Sequence, residues 1–439
     1  MGTGLTVECT PTPVSSLIHA ATLVTAGVFL IARASFVYEQ TNSLSDLIAI
    51  LGALTSCVAS TAGLVQNDLK RVIAYSTCSQ LGYMVFSCGL SNYFVGIFHL
   101  SNHAFFKALL FLSAGSVIHG VNDEQDMRKL GGLKNLLPFT YSMMTIGSLA
   151  LIGFPFLTGF YSKDLILESA FGKYTLIGYF SYFLGTFGAF LTAFYSIRLL
   201  YLAFLAKPTG HKQIITFAGD SNIQICLALG SLAIPSIFVG YYTKDMMVGV
   251  GSHFFGTAIY TNIASYNIFD AEFISLFFKT LPVHFSFFGA FLAFVLYNFQ
   301  AKILYNLKIS FFGKKLYSFL NRKWFFDKVY NEYFGQFFFK IAYSITYKFV
   351  DRGIFEVLGP TGLSSIASKI GLSLHRLQTG HLYHITLIIL LGISVLSSSR
   401  HLSIVICIMN AYWVDYKLTI LIFVSCFFLI NYLENFKRE

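Results

Sequence analysis

Ile97-Phe98-His99-Leu100-Ser101-Asn102-His103-Ala104-Phe105-Phe106-Lys107 lies inside an apolar run, 94–119, and the architecture follows from that placement. The run is long enough to cross a bilayer, because about 20 apolar residues span the hydrocarbon core and a helix satisfies its own amides there. Yet it carries His99, His103 and Lys107 at i, i+4 and i+8. That spacing places all three on one helix face, roughly 6 Å apart per step along the axis. Ionisable side chains at membrane depth cost several kcal/mol and face a bundle interior or a hydrated cavity rather than lipid. Such a helix needs others around it.

The chain supplies them. Further spans are expected near 14–34, 44–66, 71–90, 138–169, 176–205, 223–242, 281–303 and 381–398, with another candidate near 416–433. Breaker signals fill the gaps, such as Gly131-Gly132 before Pro138 and Lys207-Pro208-Thr209-Gly210. The first run has no basic stretch before it and reads as a spanning helix rather than a cleavable signal. Composition agrees: 55% of the 439 residues are hydrophobic and 11% charged. About 25% charged residues are usual in a soluble domain, so a cytosolic enzyme and a disordered chain are both excluded. The expected fold class is all-α, a polytopic membrane helix bundle.

The net charge of +10 does not point to nucleic acid, because the basic residues sit in short gaps between apolar runs. Even-numbered gaps hold Lys70 and Arg71, then Arg128, Lys129 and Lys134, then Lys207 and Lys212, then Lys302 to Lys323. Odd-numbered gaps hold few basic residues, and the positive-inside rule turns the even side toward cytoplasm or matrix. The seven cysteines form no CxxC pair and read as small core residues. Phosphate loops, dinucleotide glycine fingerprints, nucleophile elbows and haem or iron–sulfur ligand patterns are not visible, so redox chemistry is not expected on this chain and no cofactor is assigned.

The other ionisable groups in apolar surroundings are His19, in Leu17-Ile18-His19-Ala20-Ala21, and Lys163 with Asp164, beyond Gly153, Pro155 and Gly159. Proline and glycine interrupt the fifth span, and freed backbone groups at membrane depth are tolerated where they line a hydrated cavity. A bland reading stands beside each. A lone membrane histidine is often a packing residue, Lys163 can snorkel to an interface, and the interruption can be an ordinary proline kink. His-x3-His could bind zinc, but no third ligand is near, so no metal is expected. For the His99–His103–Lys107 face a structural role is weaker, and a proton relay fits better. Two unit charges about 6 Å apart at an effective dielectric of about 20 repel by roughly 2.8 kcal/mol, so a proton arriving on one member can displace the next.

Residues 324–376 fit the spanning pattern poorly. Lys328, Glu332, Gln336, Lys340, Ser344, Lys348 and Arg352 recur every fourth residue among aromatic and aliphatic side chains. A four-residue step drifts about 40°, so this polar stripe winds around the helix. The residues alone leave open a surface-lying helix or a further span.

Several stretches resemble the antiporter-like proton-pumping subunits of respiratory complex I. They are Pro11-Thr12-Pro13-Val14-Ser15-Ser16-Leu17-Ile18-His19-Ala20-Ala21-Thr22, Asp68-Leu69-Lys70-Arg71-Val72-Ile73-Ala74-Tyr75-Ser76, Ser79-Gln80-Leu81-Gly82-Tyr83-Met84, His103-Ala104-Phe105-Phe106-Lys107-Ala108-Leu109-Leu110-Phe111 and Gly159-Phe160-Tyr161-Ser162-Lys163-Asp164. Trp324-Phe325-Phe326-Asp327-Lys328-Val329-Tyr330, Asp351-Arg352-Gly353 and Leu377-Gln378-Thr379-Gly380 resemble the C-terminal extension of some members.

The resemblance implies paired inverted repeats, each a proton half-channel, joined by a line of lysines, histidines and acids. It places His19 in the connecting relay and His99, His103 and Lys107 in the second-repeat relay. Lys163 becomes the broken-helix lysine near the exit, tuned by Asp164. It implies a connecting helix at 1–35, the second repeat at 36–206, peripheral helices at 207–303, a lateral amphipathic helix at 304–376, an anchoring helix at 377–399 and a C-terminal segment at 400–439. The implied activity is proton translocation within NADH:ubiquinone oxidoreductase in the mitochondrial inner membrane. The high counts of Phe (48) and Tyr (26) agree with an AT-rich organellar gene.

Implied partners are the other membrane-arm subunits, including neighbouring antiporter-like ones, and membrane lipids. Family members carry several more helices before the Pro-Thr-Pro motif, so a split subunit, with a separate chain supplying them, is expected. The alternative reading is a subunit of a multisubunit Na+(K+)/H+ antiporter, whose family shares the core motifs.

Overall fold

The computed structural model describes residues 14–210, 218–249, 251–252, 254–260, 268–377 and 379–409. It divides after Asn331 into two compact units. The candidate span 416–433 and the Pro11-Thr12-Pro13 motif lie outside the described residues, as does the side chain of His19.

The first unit is helical, and its elements follow the apolar runs. The first run forms α1 (Ser15–Thr22), wound as a π-helix, and α2 (Thr25–Arg33). Then come α3 (Asn42–Val65), α4 (Leu69–Gly89) and α5 (Tyr93–Gly120). The fifth run is two helices, α6 (Pro138–Ile152) and α7 (Thr158–Phe171). After them follow α8 (Leu176–Leu200), α9 (Ile223–Val248) and α10 (Leu276–Asn298). Among the described residues, five helical stretches are long and apolar enough to cross a membrane.

The central helix is α4, buried on nearly all sides although it carries polar side chains. It meets α3 at very short range. A Cβ on Gly52 would fall 2.4 Å from the Phe86 amide nitrogen, and one on Gly82 would fall 2.6 Å from that of Ser56. Small residues permit this approach, which lipid cannot drive by the hydrophobic effect.

Gaps of like parity join one another. The Asp68 and Asp126 backbones form an isolated bridge, Thr209 Oγ1 donates to the Leu130 carbonyl (2.9 Å), and Lys134 N donates to the Phe204 carbonyl (3.4 Å). Those contacts join even-numbered gaps. Among odd-numbered gaps, Lys173 Nζ donates to the Leu90 carbonyl (3.0 Å), Arg33 to the Ala258 carbonyl (2.7 Å) and Tyr260 N to Ser35 Oγ (2.9 Å).

Two helices extend past their expected limits where charge is neutralised. Helix α10 begins at Leu276 rather than 281, so it includes Lys279, whose ammonium lies 3.7 Å from the Glu168 carboxylate on α7. Helix α9 runs to Val248 rather than 242 and includes Lys244, another charge neighbour of Glu168. Pairing makes those lysines cheaper at a helix end than a hydropathy reading allows.

Residues 301–331 are a chain of short helices, including α11 (Phe311–Asn321), which ends where Lys323, Trp324 and Phe325 all take positive φ. Trp324 Nε1 donates to Thr61 Oγ1 on α3 (3.2 Å), and Lys323 pairs with Asp327 (2.9 Å). The second unit contains helix through Leu358 with π-wound stretches, a break at Gly359, a helix over Pro360–Leu377 and another over Leu382–Met409. Its described side chains are almost wholly exposed. The span 304–376 is therefore a succession of helices, interrupted at Ser310, 323–325 and Gly359, rather than one uninterrupted rod. Gly359-Pro360 signals one of these breaks in the sequence, whereas the winding stripe is silent about those at Ser310 and 323–325.

Candidate ion-relay site

The break between α6 and α7 is built by sequence. Gly153 ends α6 with φ +88°, a conformation glycine adopts without strain, and Pro155 follows. The restart is equally specific. A Cβ on Gly159 would lie 1.8 Å from the Ala150 carbonyl oxygen, so no other residue fits. Thr158 Oγ1 fixes the new helix to α9 by donating to the Pro235 carbonyl (3.0 Å).

The break leaves α6 with carbonyls that have no helical donor, at the negative end of its dipole. Lys163, one turn into α7, reaches back to one of them. Its ammonium donates to the Ile152 carbonyl (3.3 Å) and to Thr192 Oγ1 on α8 (3.0 Å), and stands 5.5 Å above the Tyr83 ring. Asp164 follows it half-buried and makes no ion pair within 4 Å among the described residues. One residue apart on a helix, the two side chains diverge by about 100°.

On α5 the three expected residues are buried together. His99, His103 and Lys107 are 1%, 0% and 0% exposed, and Lys163 is 2%. The His99 and His103 ring centroids are 6.1 Å apart, one helical step. Lys107 Nζ donates to Ser76 Oγ (2.5 Å) and to the Ile73 carbonyl (3.5 Å), both on α4. His99 lies between two helices, with Nδ1 2.8 Å from Ser162 Oγ on α7 and Nε2 3.1 Å from Gln80 Oε1 on α4. His103 and Asn102 are buried, and among the described residues no side-chain nitrogen or oxygen of either has a hydrogen-bond partner. His19 lies on α1, which packs against α5.

The structure thus joins His99, His103 and Lys107 with Lys163, which neighbours Ser162 in sequence, and adds residues the sequence reading assigned no role: Ser76, Gln80, Ser162 and Thr192. A signal for part of this set exists. Ser76, Gln80 and Tyr83 recur at i, i+4 and i+7 on α4, a polar stripe on an otherwise apolar helix. No group of three or more His, Cys, Asp or Glu suited to a metal occurs among the described residues.

A buried row of basic side chains, set against a helix broken at its middle, defines an antiporter-like polytopic membrane bundle. Comparison with known proteins agrees. Residues 5–192 match the family model described as NADH:quinone oxidoreductase/Mrp antiporter, TM, and residues 246–398 match that for the NADH dehydrogenase subunit 5 C-terminus. Over most of its length the chain is similar to NADH-ubiquinone oxidoreductase chain 5. It is 58% identical to that protein from Phytophthora infestans over 87% of this chain and 58% of the relative. With the one from Marchantia polymorpha it shares 49% identity over 95% of this chain and 62% of the relative. The chain thus spans about three-fifths of the length of these relatives. In fold it is similar to a chain in the structure of the Mrp complex from Dietzia sp. DQ12-45-1b, with a TM-score of 0.54 at 21% identity, covering 89% of this chain and 38% of that one.

Proposed function

We propose that the chain is a proton-translocating membrane-arm component of NADH:ubiquinone oxidoreductase in the mitochondrial inner membrane. Protons pass along His19, His99, His103 and Lys107 to Lys163, with Asp164 tuning the exit, and 304–376 braces the arm against neighbouring antiporter-like subunits and lipid. Electron transfer takes place on other subunits, and this chain uses no cofactor of its own.

One observation carries the reading: four basic side chains, all at most 2% exposed, lie along a polar path through α4, α5, α7 and α8. Buried cations without carboxylate partners are costly and are kept where charge must pass. Among the described residues, each lysine here has only hydroxyl and carbonyl acceptors, which hold the ammonium without trapping the proton as a tight ion pair would.

The second reading, a subunit of a multisubunit Na+(K+)/H+ antiporter, draws on the first family model and the Mrp likeness. The match of residues 246–398 to the subunit 5 C-terminus favours the first. Native gel electrophoresis of solubilised membranes separates them. The first reading expects the chain to comigrate with NADH dehydrogenase activity; comigration with Na+-dependent proton exchange, and no NADH oxidation in the band, supports the second.

A further inference from the structure

Resting on that proton-relay reading, we propose that Gln80 and Ser162 are positioning residues that make His99 the crossing point between α5 and the post-break helix α7. In neutral His99 one nitrogen carries a hydrogen and the other accepts. With Gln80 Oε1 3.1 Å from Nε2, that nitrogen carries the hydrogen and donates it to the amide oxygen. Nδ1 then accepts from the Ser162 hydroxyl at 2.8 Å.

When a proton reaches Nδ1, both nitrogens become donors. Gln80 Oε1 still accepts from Nε2. Ser162 Oγ now accepts from Nδ1 and turns its own hydrogen to the Thr158 or Gly159 carbonyl, each 3.4 Å away within α7. Both protonation states are satisfied by the same heavy atoms, with a single hydroxyl rotation between them. A buried polar group left unmatched in one state would add its desolvation cost to the barrier, and this ring avoids that in both.

His103 provides the contrast, because neither of its nitrogens has a hydrogen-bond partner among the described residues. Among the described residues, the charged or titratable groups around the His99 ring are His103 on its own helix and Lys163 on α7, while α4 contributes the neutral Gln80 amide. Because Ser162 is adjacent to Lys163, the bond that orients His99 also ties the ring to the helix that carries the exit lysine.

The test uses the assembled complex in sealed vesicles, comparing Ser162→Ala, Ser162→Thr, Gln80→Leu and Lys107→Ala for proton flux across a pH series. Ser162→Ala and Gln80→Leu are expected to lower flux about tenfold, the equivalent of one charge-assisted hydrogen bond, and to displace the pH profile. Ser162→Thr, which keeps the hydroxyl, is expected to restore both. Flux and profile unchanged in Ser162→Ala and Gln80→Leu, with flux lost in Lys107→Ala, overturn the positioning role and leave the relay standing. Flux unchanged in Lys107→Ala as well overturns both. A loss in Ser162→Ala that Ser162→Thr does not restore assigns the effect to packing and also overturns the proposal.

Discussion

Lys163 donates a hydrogen bond of 3.3 Å to the carbonyl of Ile152, bridging the gap between the two halves of a broken membrane helix. The break and the lysine are therefore parts of one device. Gly153 ends α6, Gly159 lets α7 restart hard against Ala150, and the ammonium occupies the space the missing helical turn leaves.

Thr192 is the other partner of that ammonium, at 3.0 Å. Thr192→Val keeps the side-chain shape and removes the hydroxyl, at a cost of about 1–3 kcal/mol for a buried charge-assisted bond. Slower proton transport in a fully assembled complex is expected, measured as initial acidification rate against NADH oxidation.

Gly159→Ala forces a methyl to within 1.8 Å of the Ala150 carbonyl oxygen unless α7 moves. The displaced packing is expected to cost about 3 kcal/mol. Less assembled complex should appear on native gels, with α7 more open to cysteine labelling at neighbouring positions.

Outside the membrane-spanning helices, a loop ties Asp126 to Arg128 and Glu124 to Lys129 at 2.9 Å. Hydrogen bonds from Arg128 and Lys129 hold both carboxyls below their ordinary range despite opposing desolvation. A carboxyl lowered by folding stabilises the loop above its unfolded value, near about 4, and that contribution fades as pH falls through the folded value. Hydrogen-exchange protection of residues 120–134, taken relative to the intrinsic rate at each pH, is expected to fall below about pH 4. Asp126→Asn should flatten part of that dependence.

Residues 323–327 fasten the segment after α11 to α3 through the Trp324–Thr61 hydrogen bond and the Lys323–Asp327 pair. Truncation before Trp324 is expected to release membrane-arm subcomplexes in mild detergent. Trp324→Phe, which loses the bond but keeps the ring, should release fewer.

Much of this fold is legible in the sequence, because lipid imposes length and apolarity on every spanning helix. The break after Gly153 is legible for the same reason, since glycine and proline at membrane depth have few other uses. Ionisable residues stand out too: His99, His103, Lys107 and Lys163 are conspicuous against phenylalanine and leucine. Their partners are not. Serine, threonine and glutamine bond readily to their own helix backbone, as Ser76 does to Ile73 at 2.7 Å, so their presence alone does not say which helix they serve. The ends of α9 and α10 are hidden because Lys244 and Lys279 resemble interface residues until Glu168 is seen between their helices. The interruptions within 304–376 depend on backbone turns at 323–325 that no periodicity encodes.

On the proposed reading, charge moves through the buried bases of α5 and α7. The proton-to-electron ratio of the purified complex in liposomes, compared among the unaltered protein, Lys107→Ala and Lys163→Ala, tests it most directly. A lowered ratio in both variants, with assembly and NADH oxidation retained, is the predicted result. An unchanged ratio in both assembled variants contradicts the account.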